Sequence, residues 1–238
     1  VSVEDCLIGE ELSVFAVCDG KDYVILNTAQ DHKRAFDGDK GPNTGGMGAY
    51  SPTPLSTDDM LAKTKLTVIE PTLKAMRDAG HPFVGFLYVG LMIVDGEPFV
   101  IEFNVRMGDP ETQVVLPLLE SSFFELLWNA THGKINDSKV RVSPKTAVTV
   151  VLAAKGYPSS YPKGMEISGL ESEGLIFHAG TKKRDNKIVT SGGRVLNVVG
   201  FGDDLKSAID DSYAIAEGVN FDGKFYRKDI GQKGLNRD

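Results

Sequence analysis

Only two cysteines, Cys6 and Cys18, occur in the chain. They are too few for a disulfide framework and lack the spacing of a zinc site, so two buried thiols in a reducing compartment are expected. Long apolar runs are missing: no stretch suffices to cross a bilayer as a helix, and neither a cleavable leader nor a lipidation motif is recognisable. A cytoplasmic protein with no membrane partner is therefore expected. A surplus of positive charge is missing too. With 26 Lys and Arg against 33 Asp and Glu the formal net charge is -7, which offers no broad field for nucleic acid and leaves phosphate recognition to a local cluster of cations. Also absent are the Gly-x-x-x-x-Gly-Lys-Ser/Thr pattern and a Gly-x-Gly-x-x-Gly fingerprint after a strand, so neither a P-loop nor a Rossmann site is supported. There is no internal repeat and no low-complexity tract.

What remains is globular. At 238 residues and 41% hydrophobic content the chain can bury a core as one large domain or two small ones. It opens on Val1, not Met, and runs straight into strand-like sequence over Val1–Leu7, as a piece of a longer polypeptide would. β-rich runs at Glu11–Cys18 and Tyr23–Asn27 flank a turn at Asp19-Gly20 and read as a hairpin. From Asp58 to Ala79 apolar residues recur at helical spacing, but Pro71 should kink or divide that helix. Phe83–Val94 and Phe99–Val105 flank Asp95-Gly96, a type I′ turn signal, and form a second hairpin. A helix is expected over Ser121–Thr131, and the charged stretch 136–144 reads as a boundary. Beyond it come strands at Ala147–Ala153, Leu175–His178, Lys187–Thr190 and Val195–Val199, and a helix from Asp204 to Ala216.

The second hairpin carries the chemistry. Strict alternation puts Phe99, Ile101, Phe103 and Val105 on one face, and Glu102, Asn104 and Arg106 on the other. Three polar groups in a row on a buried hairpin are costly unless they meet an ion, a ligand or one another. A glutamate carboxylate and an asparagine carbonyl supply hard oxygen ligands for Mg²⁺, which keeps waters and takes further ligands from phosphates. Arg106 would face an anion. The competing reading is an amphipathic strand with a surface Glu-Arg pair. The following Gly108-Asp109-Pro110-Glu111 ends the strand abruptly and opens a helix, a place where backbone N–H groups and charges can converge.

The stretch from Gly38 to Gly48 holds five glycines, which let the backbone approach an anion closely or take positive φ. A glycine loop alone is more often a flexible surface loop. Here it follows His32-Lys33-Arg34, and lysine and arginine give the charge-assisted hydrogen bonds that polyphosphate recognition requires. For His32 a structural role is favoured over catalysis.

Gln30–Arg34, Gly41–Tyr50 and Arg106–Gln113, with His178–Thr181, Ser191–Leu196 and Tyr226–Gly231, resemble the signatures of the phosphoribosylamine–glycine ligase (glycinamide ribonucleotide synthetase) family of the ATP-grasp superfamily. The resemblance covers essentially the whole chain. It implies an α/β (α+β) fold: the carboxy-terminal lobe of an ATP-grasp domain with antiparallel hairpins over 1–135, incomplete on its amino-terminal side, then a small mixed α/β domain over 145–238. It implies ATP and Mg²⁺ or Mn²⁺ as cofactors, and glycine and 5-phosphoribosylamine as substrates, joined through a glycyl phosphate in purine biosynthesis. Glu4, Asp5, Cys6 and Leu7 resemble the adenine hinge, with Asp5 where the family usually has Glu, and Glu11 the acid that holds the ribose hydroxyls. Arg34 and Asn43 would contact phosphates and Glu102 and Asn104 the metal, while Arg106, Asp109 and Glu111 would face the reacting carboxylate or amine. The resemblance further implies that a lid and a substrate lobe precede Val1 and that the chain is inactive alone. The whole enzyme would stand alone or be fused to other purine-pathway domains. Two rivals stay open: another ATP-grasp carboxylate–amine ligase, and a non-catalytic nucleotide-binding or interaction fragment.

Overall fold

The computed structural model describes residues 3, 5–171 and 174–235. Strands β1 (Glu10–Asp19) and β2 (Tyr23–Asp31) are followed by the short β3 (Arg34–Phe36), β4 (Lys40–Asn43) and β5 (Gly48–Ser51). Helices α1 (Asp58–Thr64) and α2 (Glu70–Asp78) precede β6 (Val84–Val94) and β7 (Glu97–Asn104). Next come α3 (Thr112–Val115), α4 (Phe123–Thr131), β8 (Thr146–Ala154), β9 (Leu175–His178), β10 (Thr181–Arg184) and β11 (Lys187–Thr190). The described chain ends with β12 (Arg194–Gly202), α5 (Leu205–Gly218), β13 (Lys224–Phe225) and α6 (Gln232–Leu235). They group into two compact units, one of residues 1–30, 53–108 and 119–143, the other of residues 31–52, 109–118 and 144–238.

In the first unit the antiparallel order is β7-β6-β1-β2. The β1–β2 hairpin turns where expected, its corner fixed by Asp19 Oδ1, which accepts the Lys21 and Asp22 amides at 2.9 and 2.7 Å. Asp95 (φ 50°) and Gly96 (φ 78°) both take positive φ, as the type I′ signal at the β6–β7 corner requires. Leu12, Val14 and Ala16 of β1 and Leu87, Val89 and Leu91 of β6 form one buried face with Met60, Val68, Ile69 and Leu73 of the helical segment. Burial of each such side chain contributes about 1.5–3 kcal/mol. The helical run is divided into α1 and α2 by a π-helical turn over Lys65–Ile69 in which the Glu70 amide reaches back to Lys65 O, and Pro71 sits in the first turn of α2.

Several sequence expectations change in this unit, among them the pair of buried thiols, since Cys18 is buried but Cys6 is exposed. The described part of the amino-terminal run, Val3 and Asp5–Leu7, is irregular rather than strand, because it has no ladder partner. Strict alternation along β7 also fails. Glu102 pairs with Gly90 but Val100 pairs with Leu91, so Ile101 is the extra residue of a β-bulge. Directly paired residues share a face, so Phe103 and Val100 lie on the Val89–Leu91 side. Phe99, paired with Met92, joins Glu102 and Asn104. Arg106 lies beyond the strand's end, and β7 is an exposed edge rather than part of a buried hairpin.

In the second unit the antiparallel order is β5-β8-β12-β9, with β13 beside β8 on the β5 edge. Every residue of β8 is buried, and Val148, Val150 and Leu152 pack with Leu196 and Val198 of β12 and with Ala208, Ile209, Ile215 and Ala216 of α5. Helix α5 starts at the expected residue because Asp204 and Ser207 form a reciprocal capping box. Within the glycine-rich stretch β3 and β4 pair as a small hairpin not foreseen from the sequence.

Candidate functional site

The continuous β1–β6 register pairs Glu11 with Met92, Ser13 with Gly90 and Phe15 with Tyr88, while β6–β7 pairs Gly90 with Glu102 and Tyr88 with Asn104. Glu11, Glu102 and Asn104 therefore share one face of the first unit's sheet, opposite the helix-covered core. Gly90 makes room between them. A Cβ at that position would lie 3.2 Å from both Glu102 Cγ and the Tyr88 ring, closer than side chains normally approach. Below it the Tyr88 hydroxyl meets Ser13 Oγ at 3.0 Å and its ring stands edge-on to Phe15 at 5.1 Å, a packed floor. Further along this face Phe86 stacks on Phe123 of α4 at 6.0 Å, so the helix covers that end.

Glu102 is exposed and Asn104 half-buried, and Gln30 Nε2 donates to Glu11 O at 3.0 Å. Arg106 Nη1 turns back to Met107 O at 3.0 Å. Asp5 and Cys6 are exposed and Leu7 half-buried, whereas Glu4 lies outside the described residues. Among the described residues no group of three or more His, Cys, Asp and Glu converges as a metal cage. One carboxylate and one amide oxygen on a single open face suit an ion that keeps waters and shares phosphate ligands.

The other predicted residues lie in the second unit. Arg34 and Asn43 are direct cross-strand partners in the β3–β4 ladder, and Arg34 Nη1 donates to Gly41 O at 2.8 Å. A guanidinium and an amide paired at the open end of this ladder, both exposed, can meet one oxyanion. His32 is buried beneath, its ring 6.1 Å from Tyr50 and its Nε2 accepting from the Gly231 amide at 3.4 Å. Burial first, then Arg227 and Lys233, pushes its pKa down to about 3, outweighing Asp229 and Asp39, so the imidazole is neutral. Two of the loop glycines are packing requirements: Gly46 takes φ 111° with Pro110 Cδ 2.4 Å from where its Cβ would stand, and at Gly48 a Cβ would lie 2.6 Å from Thr149 O.

Asp109 is half-exposed, with Oδ2 2.9 Å from Arg194 Nη2 and Oδ1 2.9 Å from Gln113 Nε2. Glu111 is buried at the start of α3. Sequence reasoning gave no role to Arg194, Tyr157 or Arg227, although all three contact the glycine-rich stretch within this unit. The only signal was that Arg194 and Arg227 fall in segments carrying the family resemblance.

Comparison with known proteins matches residues 1–112 to the family model "Phosphoribosylglycinamide synthetase, ATP-grasp (A) domain" and residues 147–233 to "Phosphoribosylglycinamide synthetase, C domain". A phosphoribosylamine–glycine ligase of Leptospira interrogans is 49% identical over 239 residues, covering 99% of this chain and 56% of that protein. The trifunctional purine biosynthetic protein adenosine-3 of Gallus gallus is 48% identical over 240 residues, 99% of this chain and 24% of its own length. Among solved structures, the Thermotoga maritima phosphoribosylamine–glycine ligase superposes with a TM-score of 0.89 at 44% identity, over 95% of this chain and 57% of that one. The chain thus spans about 56% of the length of the bacterial relative it matches, and the fold is that of an ATP-grasp lobe followed by a small carboxy-terminal domain.

Proposed function

The chain belongs to the phosphoribosylglycinamide synthetase family, and from that premise we propose that it is the carboxy-terminal portion of an ATP-dependent phosphoribosylamine–glycine ligase of purine biosynthesis. The glycine carboxylate attacks the terminal phosphorus of ATP, giving glycyl phosphate and ADP. The amine of 5-phosphoribosylamine then displaces phosphate, giving glycinamide ribonucleotide. Residues 1–135 serve as the ATP-grasp part and 145–238 as the small domain, in the cytoplasm, alone or fused to further purine-pathway domains as in the chicken relative.

The observation that carries the reading is the common sheet face of Glu11, Glu102 and Asn104. There Glu11 holds the ribose hydroxyls of ATP, with Glu4, Asp5, Cys6 and Leu7 along the adenine. Glu102 and Asn104 hold Mg²⁺ or Mn²⁺, which when bound neutralises the charge of the phosphates. Arg34 and Asn43 give charge-assisted hydrogen bonds to phosphate oxygens, and Arg106 and Glu111 serve the reacting carboxylate and amine, with Asp109 serving them through the turn it holds. Phosphoryl transfer of this kind depends on alignment and charge neutralisation more than on covalent participation by the protein, so no general base is assigned.

The test is an assay of the full-length protein with ATP, glycine and 5-phosphoribosylamine beside a panel of other carboxylates and amines. Equal amounts of ADP, phosphate and glycinamide ribonucleotide are expected. Preference for another carboxylate or amine would assign a different ATP-grasp ligase, and nucleotide binding without turnover a non-catalytic module. Robust turnover by the 238-residue chain alone would overturn the reading that it is an inactive portion.

A further inference from the structure

We infer that Arg194, assisted by Tyr157, is a positioning residue that locks the glycine loop at Gly45-Gly46 to the Asp109-Pro110 turn. Arg194 Nη1 donates to Gly45 O and to Asp109 O, each at 2.7 Å, and Nη2 donates to Asp109 Oδ2 at 2.9 Å. One planar guanidinium therefore joins two backbone carbonyls and a carboxylate, a geometry that a lysine ammonium does not reproduce. The other side of Gly45 is held as well, because its amide donates to Tyr157 Oη at 3.1 Å.

Close packing makes these contacts a fixed arrangement. A Cβ on Gly45 would stand 3.0 Å from Arg194 Cζ, and one on Gly46 2.4 Å from Pro110 Cδ. Gly193, next to Arg194, lies so close under Tyr157 that a Cβ there would come within 2.2 Å of the ring. Tyr157 and Arg194 thus share one support. The clamp also redefines Asp109. With Oδ2 on Arg194 and Oδ1 accepting from Gln113 Nε2 at 2.9 Å, its carboxylate is engaged within the chain, so Asp109 acts through the turn it holds. The segment matched to the C domain, in this account, fixes the loop that follows Asn43 in the ATP-grasp segment.

The effect on turnover rests on the proposed ligase reading, whereas the effect on loop order does not, and the experiment reads the two separately. In the full-length protein, hydrogen–deuterium exchange of peptides spanning 41–48 and 107–113 should rise in Arg194→Ala and Tyr157→Phe, with β8 and β12 unchanged. With ATP, glycine and 5-phosphoribosylamine, Arg194→Ala should lower kcat by at least about tenfold, the scale expected when reacting groups shift by a fraction of an ångström. Arg194→Lys should recover part of that loss. The Arg194→Ala/Asp109→Asn double variant should be no worse than Arg194→Ala, since both remove one clamp. Unchanged exchange over 41–48, multiplying losses in the double variant, or losses that track the melting temperature would each overturn the inference. Absence of ligation in the wild type would overturn the function reading and leave exchange to decide. If Arg194→Ala does not fold, Arg194→Lys and Tyr157→Phe carry the same tests.

Discussion

Arg227 grips Asp229 at two points, Nε to Oδ1 at 2.8 Å and Nη2 to Oδ2 at 2.7 Å, with the arginine side chain 1% exposed. The same guanidinium reaches the hairpin of the glycine-rich stretch, where Nη1 donates to Arg34 O and Asp39 Oδ1, both at 3.0 Å, and Asp229 Oδ2 accepts the Gly38 amide at 2.8 Å. Burial alone would raise the Asp229 pKa, but Arg227 and the Gly38 amide outweigh it and hold the group down at about 2. Against an unfolded value of about 3.9, this contribution is present above about pH 4 and is lost as pH falls toward 2.

Asp229→Asn should therefore destabilise the protein by about 2 kcal/mol, the scale of a hydrogen bond to a charged group. In urea unfolding at pH 7 the midpoint should fall with an unchanged m-value. A midpoint equal to wild type would remove the pair from the stability of this unit.

His32 acts in the same direction over a higher pH range. The unfolded chain takes up a proton near pH 6.5, whereas the folded imidazole, buried near Arg227 and Lys233, does so only at about pH 3. Between those values the unfolded state binds more protons, so stability falls as pH drops below about 6.5. His32→Gln should flatten the dependence of Tm on pH between about 6.5 and 4, and an equally steep slope in the variant would refute this assignment.

Glu102→Gln in the full-length protein should cut turnover by at least about tenfold and raise the magnesium needed for half-maximal rate, because a charged ligand is lost. Its melting temperature should stay near wild type, since Glu102 is exposed. Near-normal activity at ordinary magnesium would take Glu102 out of the site.

Arg34→Ala should raise KM for ATP and lower kcat, since a charge-assisted contact to phosphate strengthens as charge moves in the transition state. Arg34→Lys should restore only part. Identical ATP kinetics in both variants would make Arg34 a surface cation that merely closes on Gly41 O.

The two thiols should react very differently. Burial first, then Asp19, pushes the Cys18 pKa up to about 12, while Cys6 is exposed. A thiol reagent should label Cys6 promptly and Cys18 only on unfolding. Fast labelling of both in the native protein would contradict the buried environment of Cys18.

The sequence by itself determined the elements whose cause is local. Asp95-Gly96 carries the positive φ of its turn, Asp204 and Ser207 carry the start of α5, and a run of apolar and β-branched residues marks β8, because sterics and hydrogen bonding within a few residues decide each. It also named Glu102 and Asn104 as same-face neighbours, since they lie two apart on one strand. The tertiary structure alone decided what depends on pairing over long separations. The bulge at Ile101, which moves Phe99 to the Glu102 face, exists only against the register of β6. The common face of Glu11 and Glu102 needs β6 between their strands. Arg34 meets Asn43 through a short ladder that no periodicity announces, and Arg194 and Arg227 reach the glycine-rich stretch from residues 149 and 188 positions away. Such contacts are set by the closure of the chain into its compact unit, where a buried guanidinium must find acceptors wherever the fold supplies them.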